Sequence, residues 1–298
     1  MMKFYIVTPT FNALEWLQCC VRSVADQAGE GVEVHHHVQD GGSGDGTVAW
    51  MEQWRAEHED VTGYTFTYES GRDSGMYDAL NRAWAKLPED AAVTAHLNSD
   101  EQYLPGALQE VAQGFRRFPK AEVLACAFLI VDAQGRYICH RRPVQPRRWR
   151  SEVVCELNTC SCFHEAAAFR RHGIRFDTRY RSIADLVMYR EMVRAGVRVV
   201  ILPQLLSSSF AVTGSNLAWT EVTGRELVMA AEDSARWQVC GRRWINLLSN
   251  VGRRWNDFFC KAPQEFALYA RDSAVRAHKR IRHATAHWGM RSEAVDEE

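Results

Sequence analysis

The first half of the chain alternates short apolar runs with segments in which apolar residues recur every three or four positions. The apolar runs are rich in Val, Tyr, Phe, Ile and Thr, which favour β-strands. They predict four strands, at residues 3–8, 32–39, 63–69 and 91–97. The segments between them predict helices that each bury one face, most clearly at 13–27. This alternation is typical of an α/β protein.

The same pattern continues with a hairpin predicted around Ala133-Gln134-Gly135. Helices are predicted at 163–172 and 183–195, followed by a strand in "VRVVILP". The polar segment 207–216 contains one glycine, and we expect it to form a loop that closes over a bound ligand. Residues 1–215 are therefore predicted to form a Rossmann-like, mixed but mostly parallel sheet flanked by helices.

The character of the chain changes in residues 216–298, which we interpret as a helical C-terminal extension. Residues 235–285 carry eleven Lys or Arg against three Asp or Glu, with Trp and Phe interleaved. Three interpretations stay open: helices that pack on the core, a basic element on a membrane surface, or a contact between copies of the chain. The final "SEAVDEE" is acidic and is predicted to be disordered.

Composition narrows the classes of function. The 298 residues are 46% hydrophobic, enough for one large core, and the net charge of -1 gives no global attraction to nucleic acid or to an anionic membrane. The N-terminus lacks a signal-peptide pattern, and no run of 18 apolar residues occurs. The nine cysteines are odd in number and irregularly spaced, so reduced thiols and a cytoplasmic location are expected.

Polar residues follow each of the four predicted strands. The first strand is followed by "TPTFN", in which Pro9 fixes the turn and Asn12 is expected to cap the next helix. The second is followed by "QDGGSGDGT", where Asp40 precedes four glycines within six residues. Such a loop is either a tight strand-to-helix turn or a cradle for an anionic ligand.

The third strand is followed by Arg72 and Asp73, and the fourth by "HLNSDE". Asp73 either caps the helix that follows it or binds a ligand, with Arg72 on a phosphate or sugar oxygen. Asn98 and Asp100 are two residues apart and face the same side of an extended segment, where their oxygens suit a hard divalent cation. Because ligands of such sheets bind at the carboxyl ends of the strands, the four polar ends predict one site.

These four motifs, in this order and at these intervals, resemble the signature of the family 2 glycosyltransferases, which have the GT-A fold. The likeness runs over roughly residues 3–210. It is closest to bacterial enzymes of exopolysaccharide, lipopolysaccharide or capsule synthesis. The resemblance implies a nucleotide-sugar half at 1–101, an acceptor half at 102–215, and transfer from a nucleoside diphosphate sugar, with UDP favoured, to a saccharide or lipid-linked acceptor. Inversion at the anomeric carbon and a Mn²⁺ or Mg²⁺ ion are implied as well.

The resemblance also implies roles for individual residues. Asp100 takes the place of the metal-bridging carboxylate, although Asn98 stands where the family has its first Asp and Glu101 where close relatives have Asp. A role for Glu101 on the acceptor side is one interpretation. The residues implied in donor binding are Thr8, Pro9, Thr10, Asn12, Asp40, Gly41, Arg72, Asp73, Asn98, Ser99 and Asp100.

The segment 158–196 resembles the acceptor side of the family, in which an acid at the start of a helix is the general base. Asp185 is the matching position. Ser182, three residues earlier, also makes a capping-box pattern with Asp185, and the two roles are compatible. Asp177 is a weaker candidate for the base, and His164 is a candidate for acceptor contact.

Other constellations indicate less. The spacing of Cys155, Cys160, Cys162 and His164 does not match common zinc sites, and the histidines at 35–37 alternate between the two faces of a strand. A nucleotidyltransferase, a dinucleotide-dependent oxidoreductase and an inactive nucleotide-sugar-binding protein stay open as alternatives, although the first loop lacks the glycines of a dinucleotide fingerprint. The expected location is the cytoplasm or the inner face of its membrane, with residues 235–285 as a peripheral contact or an oligomer interface.

Overall fold

The computed structural model describes residues 1–152, 154–212, 221–231, 241, 244, 251, 264–281 and 294–295. Within these ranges the predicted alternation of strands and helices is confirmed. The first half consists of β1 (Met2–Thr10), α1 (Leu14–Ala25), β2 (Val32–Asp40), α2 (Thr47–Glu57), β3 (Tyr64–Ser70), α3 (Met76–Trp84), β4 (Val93–His96), β5 (Glu101–Tyr103) and α4 (Ala107–Arg117).

The second half begins with the predicted hairpin, whose strands pair antiparallel. Its elements are β6 (Val123–Asp132), β7 (Tyr137–Arg141), α5 (Arg148–Ser151), β8 (Cys162–Glu165), α6 (Ala166–Arg171), α7 (Ala184–Arg194), β9 (Val199–Val212) and α8 (Glu221–Ala231), with a short 3₁₀ turn at Thr159–Ser161. Residues 207–212, expected to be part of a mobile loop, instead belong to β9, because they pair with β6 and β5. Residues 213–216 lie outside the described ranges.

The large sheet has nine strands in the order β3-β2-β1-β4-β8-β6-β9-β5, with β7 beside β6. The first four strands are parallel, and β8 runs antiparallel to β4. In the register Thr10 lies opposite Asp40, and Asp40 lies opposite Ser70. The carboxyl ends of β1, β2 and β3 therefore finish at the same level, as the parallel arrangement predicts.

Apolar side chains bury both faces of this sheet. One core lies under α1 and α4, with Leu17 and Leu108 fully buried. The other lies under α3, α6 and α7, around Leu80 and Phe176. Covering both faces is what a parallel sheet requires, and it leaves the strand ends as the exposed polar edge.

The C-terminal extension differs from the prediction. A helix is present at Glu221–Ala231, but Gln264–Tyr269 and Arg276–Ile281 form antiparallel strands, β10 and β11. Phe266, Leu268 and Ile281 pack on Leu104, Leu129, Val131 and Tyr137 of the main sheet. The helical prediction is wrong for residues 264–281, because these residues form a hairpin that packs on an apolar strip of the main sheet. That strip lies far away in the sequence, so the local pattern does not indicate it.

Two smaller findings concern the ends and surface of the chain. Ala294 and Val295 form a strand, β12, beside β11, so the prediction of disorder is wrong for these two residues. No helix within the described ranges is both long and apolar enough to cross a membrane.

Candidate functional site

The end of β1 and the loops that follow β2, β3 and β4 line one cavity of about 890 Å³. The cavity therefore brings together residues as far apart in the sequence as Pro9 and Asp100. Its lining consists of Pro9, Thr10, Phe11, Ala13, Trp16, Gly41, Gly42, Arg72, Asp73, Gly75, Met76, Ala79, Asn98, Ser99 and Asp100. Eight of the eleven residues predicted to bind the donor are among them; Thr8, Asn12 and Asp40 are not.

Asp40 fixes the glycine-rich loop through hydrogen bonds to its carboxylate. Its side chain is buried and accepts hydrogen bonds from the backbone N–H groups of Gly42 (3.1 Å) and Ser43 (3.0 Å). The Ser70 hydroxyl, at the end of the neighbouring strand, donates to the same carboxylate at 2.6 Å. Asp40 thus fixes the loop that lines the cavity, and its carboxylate faces protein groups.

Asn12 holds the other side of this loop. It has a positive φ of 49°, and its side-chain oxygen accepts from the backbone N–H of Gly44 at 2.9 Å. The expectation that Asn12 caps α1 is wrong: the residue at the cap is Ala13, and the Asp45 carboxylate accepts from the Leu14 N–H at 3.1 Å. The capping acid comes from the glycine-rich loop because that loop folds over the start of the helix.

Gly41 is the point of closest approach in the cavity wall. A Cβ atom at this position would lie 3.0 Å from the Asp73 carboxylate and 3.3 Å from the Phe11 ring. Asp73 accepts from the Gly75 N–H at 2.8 Å, which fixes it at the start of α3 without capping the helix. The Arg72 side chain is exposed on the cavity wall beside it. A positive and a negative group are therefore both presented to a ligand.

The segment after β4 is tied to β1 and folded back on itself. The Ser99 hydroxyl donates to the carbonyl of Pro9 at 2.8 Å, and the Asn98 N–H donates to the Glu101 carboxylate at 2.7 Å. Glu101 is 1% exposed, and burial, reinforced by the nearby Asp100 charge, raises the pKa of its carboxyl group. Glu101 therefore acts below the cavity floor, whereas Asp100 lines the cavity itself.

The residues at this corner fit a hard divalent cation. The Asn98 side-chain oxygen is buried and has no hydrogen-bond partner within the described ranges, and the Asp100 carboxylate lies two residues further on. No group of three or more His, Cys, Asp and Glu side chains in the described residues is placed to hold a metal. One carboxylate is nevertheless in keeping with a Mg²⁺-type site, which takes most of its ligands from substrate phosphates and water.

Thr8 lies inside the sheet. Its hydroxyl is buried, and it is 2.9 Å from the ring nitrogen of His36 on the neighbouring strand. His35 and His37, on the opposite face of β2, both contact the hydroxyl of Thr67 at 2.8 Å. Burial lowers the pKa of His36 to about 3 and that of His37 to about 4. These histidines are neutral strand residues at pH 7.

Asp185 lies in the first turn of α7, where its carboxylate accepts from the Leu186 N–H at 2.8 Å. It does not line the 890 Å³ cavity. Burial raises the pKa of its carboxyl group. The predicted capping box is wrong, because the Ser182 hydroxyl contacts Thr223 at 2.7 Å and the cap residue Ile183 forms no side-chain cap. Asp185 therefore binds the first turn of α7 through the Leu186 N–H and not through a capping box with Ser182.

The cap of α7 comes from Glu226 on α8, a residue that sequence reasoning missed. Its carboxylate is 5% exposed and accepts from the N–H groups of Arg181 (2.7 Å), Ser182 (2.9 Å) and Ile183 (3.2 Å). An acid inside an apolar helical pattern was the available signal. Its partners lie 43 to 45 residues away, so the sequence does not reveal them.

A second, smaller cavity of about 310 Å³ leads from the first toward α7. It shares Asp73, Gly75 and Met76 with the larger cavity and is also lined by Tyr77 and Arg181. Burial and the nearby Asp185 carboxylate raise the pKa of Tyr77. Tyr77, a residue of the wall of the smaller cavity, therefore lies within electrostatic reach of Asp185.

The two remaining acceptor-side candidates lie elsewhere. His164 is buried in β8 beside Phe169, at a ring distance of 5.4 Å, and burial lowers its pKa to about 4. Asp177 forms an ion pair with Arg179 at 2.6 Å, which lowers the pKa of its carboxyl group. His164 is enclosed in the protein, and the Asp177 carboxylate is already paired with the Arg179 side chain.

Sequence comparison relates the chain to a known family. The family model described as glycosyl transferase family 2 matches residues 5–175. Two curated relatives, both described as uncharacterised glycosyltransferases, come from Mycobacterium tuberculosis strains H37Rv and CDC 1551. Each is 36% identical over 85 residues, which are 28% of this chain and 29% of the relative. The match thus spans less than a third of the length of either relative.

Solved structures share the fold at low sequence identity. TarS of S. aureus has a TM-score of 0.57 at 18% identity, covering 88% of this chain and 46% of TarS. The mannosyltransferase PcManGT of Pyrobaculum calidifontis, solved with GDP-Man and Mn²⁺, has a TM-score of 0.59 at 16% identity, covering 85% and 71%. The predicted GT-A type of α/β fold is confirmed by this likeness.

Proposed function

Because the chain belongs to glycosyl transferase family 2, we propose that it transfers a sugar from a nucleoside diphosphate sugar, with UDP as the nucleotide, to a hydroxyl group of an acceptor. The acceptor is a saccharide or a lipid-linked saccharide, and the product belongs to a bacterial surface polysaccharide. The observation that carries this proposal is the convergence of the strand ends on one cavity with Arg72, Asp73 and Asp100 in its wall.

The donor is assigned to the 890 Å³ cavity. A volume of this size suits a nucleotide sugar, and the ligands of such sheets lie at the carboxyl ends of the strands. TarS has been solved with UDP and with UDP-GlcNAc, and PcManGT with GDP-Man and Mn²⁺. Arg72 would face the diphosphate, where a guanidinium group forms charge-assisted hydrogen bonds with phosphate oxygens.

The divalent cation, Mn²⁺ or Mg²⁺, is assigned to Asp100, together with the Asn98 side-chain oxygen, which has no hydrogen-bond partner among the described residues. When bound, the cation would supply positive charge where the departing diphosphate gathers negative charge. Glu101 and Ser99 fix this corner through the hydrogen bonds to Asn98 and Pro9, so their role is to position it.

The reaction proposed is a single displacement with inversion. A bond forms between the acceptor oxygen and the anomeric carbon while the bond from that carbon to the diphosphate oxygen breaks. Asp185 accepts the proton that the acceptor hydroxyl loses, and its raised pKa makes the carboxylate a better base. The 310 Å³ cavity, with Tyr77 and Arg181 in its wall, is the path by which the acceptor would reach it.

The test combines binding and turnover. The full chain is heated with a panel of nucleotide sugars, with and without Mn²⁺, and a true donor raises the melting temperature by mass action. Each stabilising donor is then incubated with saccharide acceptors, and the anomeric configuration of the product is read by NMR. Absence of stabilisation by every nucleotide sugar would refute the proposal, and a product with retained configuration would refute inversion. Stabilisation without hydrolysis or transfer would indicate a binding protein.

A further inference from the structure

A basic stretch without acidic residues runs from the turn between β6 and β7, through β7, to α5. From Ala133 to Ser151 there are six arginines and no Asp or Glu. Its last part contains α5, the four-residue helix Arg148–Ser151. Within α5 Trp149 is 48% exposed, although a side chain of this size is usually covered. The combination gives one small surface with both cationic and apolar character.

The cations on this surface are available to a partner. Arg147 and Arg148 are exposed, and their guanidinium groups have no partner among the residues that the structure describes. Arg150 is different: it forms an ion pair with the buried Glu156 and lies 5.9 Å from the Trp149 ring centroid. Two exposed cations therefore precede an exposed indole ring in the chain, and the guanidinium group of Arg150 lies near that ring.

The surface is held rigidly by a buried acid. Glu156 accepts from the Arg147 N–H at 3.1 Å and from the Ser151 hydroxyl at 2.8 Å, so both ends of α5 are fixed to it. Glu152, which follows α5, forms an ion pair with Arg194 near the end of α7. The exposed groups thus keep a defined orientation, and they are joined to the helix that carries Asp185.

We propose that Arg147, Arg148 and Trp149 dock this protein on an anionic lipid surface. Lipid headgroups with negative charge attract arginines near the bilayer, and an indole ring lies favourably at the level of the headgroups. The net charge of the whole chain is only -1, so such attraction has to come from a local patch of this kind. This inference does not depend on the proposed transfer reaction.

The hairpin of β10 and β11 presents fewer of its groups to a membrane than its sequence suggests. Phe266 and Leu268 of the basic segment are buried against the main sheet. Arg276 in the same hairpin pairs with Asp26 at 2.7 Å. Phe266, Leu268 and Arg276 of the hairpin are therefore occupied inside the protein.

Flotation of the full chain with vesicles tests the proposal. Vesicles of phosphatidylcholine with 30% phosphatidylglycerol are compared with pure phosphatidylcholine, at low and high salt. Binding is expected only with phosphatidylglycerol, and Arg147→Gln with Arg148→Gln should weaken it about fivefold for each arginine at low salt. Trp149→Ala should weaken it roughly tenfold at both salt concentrations, because burial of the indole is not screened.

A matched control is available on α4. Arg116 and Arg117 are also exposed and adjacent, and Arg117 lies 5.2 Å from the ring of Phe118, which is only half-exposed. Arg116→Gln with Arg117→Gln makes the same charge change away from α5 and should alter vesicle binding by less than twofold. An equal loss in both double variants, or equal binding to both kinds of vesicle, would overturn the proposal. Tighter binding to single-stranded RNA than to vesicles would overturn it as well.

Discussion

The residue that most directly tests the cation site is Asp100. Replacing Asp100 by Ala should abolish the Mn²⁺-dependent part of UDP binding, because the corner would keep only the neutral oxygens of Asn98 and Ser99. Calorimetric titration of UDP with and without Mn²⁺ measures this. Asp60→Asn, at an exposed position beyond α2, is the control for charge alone. UDP binding with unchanged Mn²⁺ dependence in Asp100→Ala would remove Asp100 as the metal residue.

Gly41 allows a test of the cavity wall without any change of charge. In Gly41→Ala the new methyl group would lie 3.0 Å from the Asp73 carboxylate, so Asp73 must move and UDP binding should weaken about tenfold. Gly44→Ala is the matched control in the same loop, because a Cβ atom there meets nothing within 4 Å. Equal UDP affinity in the two variants would show that the position of Asp73 does not matter for the nucleotide.

Asp185 links activity to pH. Its folded-state pKa lies above the ordinary 3.8, so the folded protein binds this proton more tightly than the unfolded chain does. The free energy of unfolding therefore falls as pH rises between 3.8 and the raised pKa, and the loss persists at pH 7. Asp185→Asn removes this loss. The variant should be more stable than the original at pH 7, equally stable at pH 3, and inactive in transfer while UDP still binds.

Chemical unfolding at the two pH values, together with a transfer assay, measures both effects. Asp177→Asn is the control, because the pKa of Asp177 is lowered by Arg179 and the sign of its effect on stability at pH 7 is opposite. Retained turnover in Asp185→Asn would exclude Asp185 as the base.

At the scale of elements, the joint between α7 and α8 is the set of hydrogen bonds from residues 181–183 to Glu226. This joint fixes the start of α7 and therefore the position of Asp185. Glu226→Ala would leave the N–H groups of Arg181, Ser182 and the buried Ile183 without this acceptor, at a cost of about 1–3 kcal/mol in the free energy of unfolding. Transfer should fall further than UDP binding, since the donor cavity contains no residue of α7 or α8. Denaturant unfolding and separate binding and transfer assays would show this.

Glu221→Gln, at a highly exposed position on the same helix, is the control and should change neither quantity. Glu226→Gln keeps an oxygen acceptor, so its losses of stability and of transfer should lie between those of Glu226→Ala and Glu221→Gln. If Glu226→Ala lost UDP binding as strongly as transfer, the joint would be supporting the whole fold and not Asp185.

Local patterns explain which elements the sequence predicts well. The four parallel strands are apolar runs between glycine and asparagine turns, so their positions and polar ends follow from residues that are neighbours in the chain. The roles of Asp40 and Glu226 do not follow in this way. Both are acids that accept from backbone N–H groups, and for Glu226 those groups belong to the segment that leads into another helix. Only the folded chain brings the two together.

The hairpin of β10 and β11 shows the same limit for a whole element. The basic composition of residues 235–285, with Trp and Phe interleaved, predicts helices in this part of the chain. Arg276 donates to Asp26 and to the carbonyl of Tyr103 at 2.9 Å, and the nearer of these partners lies 173 residues away. Long-range pairing of this kind outweighs local helix propensity.

At the scale of the molecule, the hairpin should be needed for the stability of the main domain. A chain ending at residue 263 would uncover the apolar strip around Leu104, Leu129 and Val131. We expect a lower melting temperature and lower solubility, with UDP binding kept at temperatures where the truncated chain is folded. Arg280→Gln in the full chain is the control, since Arg280 is exposed. A truncated chain with an unchanged melting temperature would contradict this.

The joint between α7 and α8 also has a consequence for the order of events during protein synthesis. The elements that line the nucleotide cavity are complete once the ribosome has passed β5, whereas the residue that caps α7 follows more than a hundred positions later. A nascent chain would therefore acquire a pocket for the nucleotide before it acquires a correctly presented base. Such a chain would bind the donor without being able to transfer its sugar.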